Sequence, residues 1–146
     1  MLILGALVLL AQAETGSIRQ GVGGGGDSPR RLCQPVQVSS PQRDGQRSSF
    51  SATEVLDLRL STQLRRSLEG PHVLQIKVFT PRGYTYQILT LPFASPGTSN
   101  RLQELSATLP VAGTAITSNS LYGRWTVEPF LDGASCGVTR SFVLNQ

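Results

Sequence analysis

His72 is the only histidine in the chain, and it stands beside Pro71 at the head of an apolar run. That setting suits a surface or strand-edge residue better than a catalytic base. Five carboxylates, Asp57, Glu69, Glu104, Glu128 and Asp132, would supply a general acid and a general base if the fold paired two of them. Each lies in a charged or turn context that reads as solvated face, and Asp132 is accounted for by an Asp132-Gly133 turn. No Gly-x-Ser-x-Gly elbow is present, so a Ser-His-Asp arrangement has no local support. Cys33 and Cys136 lie far apart and away from His72, which gives neither zinc-ligand spacing nor a Cys-x-x-Cys redox pair. Gly23-Gly24-Gly25-Gly26 lacks the Gly-Lys-Ser/Thr that follows in a phosphate-cradling loop, and no strong apolar strand precedes it. These residues imply a protein that is not an enzyme, with no cofactor and no metal; a hydrolase is the least favoured function.

Aromatic side chains are the remaining candidates for contact with a ligand. Tyr84, Tyr86, Tyr122 and Phe130 fall in or beside strand-like segments as candidate exposed contacts, although core or barrel-end packing is the favoured reading for each. Charge adds little. Thirteen basic and nine acidic residues give a net charge of +4, spread along the chain, with Arg30-Arg31 and Arg65-Arg66 as the adjacent basic pairs. Nucleic-acid binding calls for a basic stripe interleaved with stacking aromatics, and that pattern is missing.

The elements that must position these residues are read from alternation and turn chemistry. Leu74, Ile76 and Val78 alternate with Gln75 and Lys77, Pro81-Arg82-Gly83 supplies a turn, and Tyr84 to Phe93 resumes an extended apolar pattern. A second hairpin is centred on Asp132-Gly133. A two-residue turn there pairs Leu131 with Ala134, puts Val127 opposite Val138, and gathers Trp125, Cys136 and Phe142 on one face. It also sets Arg140 across from Trp125, which requires a cation–π contact or, by preference, a bulge near Pro129. Leu105, Ala107, Leu109 and Val111 form another alternating segment, ending at Ala112-Gly113-Thr114, and Val36 with Val38 suggests a short edge strand. Over Phe50 to Leu68 two patterns compete. Leu56, Leu58 and Leu60 alternate as in a strand, whereas Leu56, Leu60, Leu64 and Leu68 recur every four residues after a Ser51-x-x-Glu54 capping pattern. The β neighbours and Gly70-Pro71 favour a strand to about Ser61. About seven strands result, an all-β two-sheet sandwich.

Trp125 on a late strand, Leu121-Tyr122-Gly123 before it, the Asp132-Gly133 hairpin and the closing Ser141-Phe142-Val143-Leu144 strand resemble the end of an immunoglobulin-like or fibronectin III-like module of bacterial exported proteins. The resemblance covers roughly residues 72 to 144 and implies an immunoglobulin-like antiparallel β-sandwich. It implies no particular activity, because such modules host many. The order Cys33, Trp125, Cys136 departs from the antibody pattern, since the tryptophan lies beside the second cysteine.

The start of the chain points to export. Leu2 to Leu10 is apolar apart from Gly5 and Ala6, and Ala11-Gln12-Ala13 is a small-x-small cleavage site, so residues 1–13 read as a signal peptide cut before Glu14. That apolar stretch is about half of the roughly 20 residues a spanning helix needs, and no transmembrane anchor is expected. Residues 14–31, rich in Gly, Ser and Arg, read as a flexible linker, and Gln42 to Ser49 as an exposed loop. Residues 32–146 are expected to form the β-sandwich domain. In a periplasmic or extracellular location thiols oxidise, so Cys33 and Cys136, about 100 residues apart, are expected to pair and tie the first strand to the last. The expected function is an exported, non-catalytic binding or interaction module of the cell envelope or exterior, monomeric, with a protein or envelope ligand as partner. The alternative is a structural subunit of an envelope assembly that docks through the edge of its first strand.

Overall fold

Side chains that alternate between core and solvent dictate where the chain extends. In the computed structural model, which describes residues 32–65, 68–95 and 102–146, they produce ten strands and one helical turn. The expected signal peptide and linker lie outside the described residues. The strands are β1 (Gln37–Ser40), β2 (Arg43–Gln46), β3 (Ser49–Ser51), β4 (Asp57–Gln63), β5 (Gly70–Phe79), β6 (Thr85–Ser95), β7 (Glu104–Pro110), β8 (Gly123–Leu131), β9 (Ala134–Ser135) and β10 (Arg140–Asn145). The helical turn α1 (Ala115–Ser118) lies between β7 and β8. One sheet has the order β2-β1-β4-β7, and the other β3-β10-β8-β5-β6 with β9 beside β8. The expected immunoglobulin-like sandwich is the observed architecture, antiparallel except where β3 runs parallel to β10.

The core is where the two inner faces meet. Leu58 and Leu60 from β4 and Leu109 from β7 face Leu74, Ile76 and Val78 from β5, with Val127 from β8 and Leu144 from β10. The segment is a strand as expected, with Leu58 and Leu60 fully buried, but it runs Asp57–Gln63, and Leu56 lies before it and is exposed, outside the expected alternation. Ser51 and Glu54 close a turn in place of a helical cap, with the Glu54 N–H donating to Ser51 C=O at 3.1 Å. An aromatic chain runs through one side of the core: Tyr86 meets Trp125 edge-on, Trp125 stacks on Phe142, and Phe142 meets Phe50 edge-on. Cys33 and Cys136 are bonded and fully buried, with Cα atoms 5.7 Å apart. The bond crosses between layers, since Cys33 bridges Leu64 beyond β4 and Cys136 lies between β9 and β10.

The hairpin at Asp132-Gly133 forms as expected. Both residues have positive φ, 49° and 84°, which a tight turn of this hand requires, and Leu131 pairs with Ala134. Beyond it the register departs from the simple count. Arg140 pairs with Val127, and Phe142 pairs with Trp125. The expected bulge exists, but the extra residues lie in the returning chain around Gly137, at φ 69°, while the Pro129 C=O still accepts from Cys136 N–H.

Two expectations are corrected. Residues 43–46 are not loop but β2, a polar strand paired with β1. In consequence the first strand is not an edge: β1 is paired on one side by β2 and on the other by β4. A strand at the rim of a sheet need not contribute to the core, so Arg-Asp-Gly-Gln carries no apolar alternation to announce it.

Candidate functional site

The turn after β5 brings Pro81, Arg82 and Tyr84 to one end of the sandwich. The Gly83 N–H donates to Thr80 C=O and the Thr80 N–H to Tyr84 C=O, each at 2.8 Å, and Gly83 supplies the positive φ of 85° that the reversal needs. The connection from α1 to β8 arrives at the same end. Thr114 caps α1 by accepting from the Ile116 N–H, and Ile116 is fully buried. Trp125 Nε1 donates to Leu121 C=O at 2.9 Å, which fastens this connection to the core indole.

Gly123 then passes so close to the turn that a Cβ there would lie 3.2 Å from Pro81 Cβ and Cγ, at a φ of 132°. Between the turn and the connection is a cleft of about 450 Å³ lined by Thr80, Pro81, Arg82, Tyr84, Asn119, Ser120, Leu121 and Tyr122. Its size falls in the range of small-ligand sites. Arg82 is the one charged side chain in that lining, and Tyr84 is 70% exposed. The cleft therefore offers an aromatic face, hydroxyl and amide groups, and a cation with no competing carboxylate in the wall.

The four aromatic candidates thus divide. Tyr84 and Tyr122 share the cleft. Tyr86 is half-buried against Trp125, with ring centroids 5.2 Å apart. Phe130 lies on the outer face of its sheet, where the Lys77 ammonium sits 4.0 Å from its ring centroid.

A second cluster, not legible in the sequence, forms at the opposite end of β5. His72 Nδ1 and Asp132 Oδ2 are 2.6 Å apart, His72 Nε2 is 2.7 Å from Glu69 C=O, and the ring stacks on Phe93. Asp132 Oδ1 accepts from the Val73 N–H at 2.9 Å. The hydrogen bond to Asp132, then that to the Glu69 carbonyl, raises the His72 pKa against the opposing effect of burial. For Asp132 burial opposes ionisation, but the bonds from His72 and the Val73 N–H outweigh it and hold its pKa below the usual value. With acceptors at both ring nitrogens, the imidazole is satisfied only when doubly protonated. Nδ1 fastens β5 to the β8–β9 turn, while Nε2 closes on the Glu69 carbonyl just before β5. The remaining carboxylates are dispersed: Glu128 accepts from Ser135 Oγ, and Glu104 borders a small polar notch with Gln34 and Ser61. Among the described residues no group of three His, Cys, Asp or Glu could hold a metal ion, and no helix is long and apolar enough to cross a membrane.

No known protein family matches the chain, and no curated protein is similar to it. Among solved structures, it is similar over 76% of its length to the alkylpurine DNA glycosylase AlkC of Pseudomonas fluorescens bound to DNA containing an abasic-site analogue, at 15% identity and a TM-score of 0.46. It spans 30% of that chain. An immunoglobulin-like protein of Pseudomonas aeruginosa is similar over 79% of this chain and 95% of its own, at 15% identity and a TM-score of 0.44. The beta-glucosidase 3B of Thermotoga neapolitana is similar over 77% of this chain and 16% of its own, at 16% identity and a TM-score of 0.39.

Proposed function

We propose that this chain is an exported, non-catalytic binding module of the cell envelope or exterior, and that its ligand enters the cleft between Tyr84 and Tyr122. The observation that carries the reading is the convergence of the β5–β6 turn and the α1–β8 connection on one cleft, the connection being fastened to the core through Trp125. A rigid wall with an exposed aromatic costs little ordering on binding. Arg82 selects a ligand that presents an anionic group, because no carboxylate in the lining competes for it. Export is supported by the Cys33–Cys136 bond, which persists in an oxidising compartment.

The test compares the wild-type chain with Tyr84→Ala and Arg82→Ala in capture from envelope extracts, followed by titration of the captured partner. Tyr84 is 70% exposed, so its removal is expected to leave the melting curve unchanged. Each substitution is expected to weaken binding about tenfold or more, the loss typical of a residue that anchors an interface. Equal capture of every partner by both variants would sink the reading.

A further inference from the structure

The outer edge of β6 has a hydrogen-bonding pattern that can be derived residue by residue. Val73 donates its N–H to Asp132 Oδ1 and accepts the Asp132 N–H at its C=O, so both of its main-chain groups point away from β6. In a strand the two main-chain groups of one residue share a side, and sides alternate along the chain. Pro92, the partner of Val73, therefore turns its main chain outward, where its missing N–H costs the sheet nothing. Pro129 in β8 obeys the same alternation, with its C=O turned from β5 toward Cys136. Carried along β6, the rule sends the N–H and C=O of Ile88 and Thr90 outward, while Gln87, Leu89 and Leu91 bond to β5.

Among the described residues no strand covers this edge. Long edge strands are ordinarily protected by charge, and β6 has none: Thr85 to Ser95 contains no Asp, Glu, Lys or Arg, and Pro92 is its only guard. Thr85 to Leu91 is rich in residues that favour strand pairing. Ile88 is 45% exposed. The nearest cation on that face is Lys77, which is opposite Ile88, and its ammonium is drawn over Phe130 on the far side of β5. The other long edge, β7, begins with Glu104, and the β2 edge begins with Arg43.

We propose that this edge is a self-association surface, on which a second copy of the chain adds its own β6 antiparallel with Ile88 opposite Thr90 across a twofold axis at Leu89. A second copy is the fitting occupant because the strand is free of charge and so meets itself without like-charge repulsion. This register uses both outward main-chain groups of Ile88 and Thr90 in each copy, and the bonded run ends where Pro92, which has no N–H to donate, meets Tyr86 of the other copy. The surface lies on a different element from the lining of the cleft, and it requires no ligand there.

The test is the mass of the full oxidised chain by light scattering over a concentration series, with amide exchange at Ile88 and Thr90. The wild type is expected to reach twice the chain mass as concentration rises, with slower exchange at both amides. Thr90→Pro removes an N–H that β5 does not use, and Ile88→Lys puts like charges across the axis. Both variants are expected to return the mass to that of one chain. If Thr90→Pro fails to fold, Ile88→Lys and the exchange data decide. A wild type that remains at the single-chain mass at NMR concentrations overturns the proposal, as does a dimer that survives Ile88→Lys with exchange at Ile88 and Thr90 unchanged. Pairing only with a foreign chain overturns it too.

Discussion

His72 and Asp132 are 60 residues apart in sequence and 2.6 Å apart in space, and they fasten the start of β5 to the turn that follows β8. The same aspartate occupies a left-handed turn position and stands in for a main-chain acceptor toward Val73. One side chain thus shapes the turn, completes the ladder and holds the His72 ring.

The pH dependence of this clasp follows from both partners. The folded pKa of His72 is raised above 6.5, so its contribution to stability is full below 6.5 and is lost as pH rises through the raised value. That of Asp132 is lowered below 3.8, so its contribution is present above 3.8 and is lost as pH falls through the lowered value. The clasp is therefore fully formed between those two transitions. An NMR titration is expected to place the His72 midpoint above 6.5 in the wild type and to bring it back toward 6.5 in Asp132→Asn. Because Asp132 is about half exposed, solvent screening limits the gain in stability to about 1 kcal/mol or less. A His72 midpoint unchanged by Asp132→Asn would contradict the bond.

The buried Cys33–Cys136 bond closes a loop over nearly the whole domain. Replacing both cysteines with Ala is expected to lower unfolding stability by about 2 to 5 kcal/mol. Urea denaturation of the oxidised chain and the double variant measures this, and mass spectrometry without reductant is expected to show the two cysteine peptides linked. Identical urea midpoints would remove the bond from the stability account.

What could be read from the sequence follows the core. Leu74, Ile76 and Val78 announce β5 because their burial enforces alternation, and Asp132-Gly133 announces its turn because few residue pairs accept two positive φ values. Elements without a core face gave no such signal: β2 is polar, and α1 is too short to show a helical period. Tyr86 packs against Trp125 for a specific reason. Val78 pairs with Gln87 and Phe79 with Thr85, so a bulge skips Tyr86 and turns it toward Trp125 instead of leaving it on the outer face with Ile88 and Thr90. The meeting of Tyr84 with Tyr122, like that of His72 with Asp132, depends on which segments the sheet brings to the same end, and no local pattern encodes it.

Trp125 joins core and cleft, and its removal should be felt in both. Trp125→Phe leaves the Leu121 C=O without its indole donor and opens a void beside Tyr86 and Phe142. A loss of about 1 to 3 kcal/mol is expected from the abandoned acceptor, with the void adding to it. Denaturation followed by circular dichroism measures the loss, and NMR is expected to show the largest shifts at Leu121 and Tyr122. An unchanged midpoint would mean that the Nε1 bond contributes nothing.

Gly123 tests the cleft wall from the other side. Its φ of 132° is disfavoured for any side chain, and an added Cβ would press on Pro81 at 3.2 Å. Gly123→Ala is therefore expected to cost about 1 to 3 kcal/mol through backbone strain. The strain has a direction, because Pro81 belongs to the turn that carries Arg82 and Tyr84. Relief of the contact moves that turn away from β8 and widens the cleft between Tyr84 and Tyr122. Ligand affinity should then fall by more than the lost stability explains, a comparison made by titrating wild type and variant well below their melting temperatures. If the variant loses stability yet binds as tightly as the wild type, the turn and the connection do not form the binding wall together.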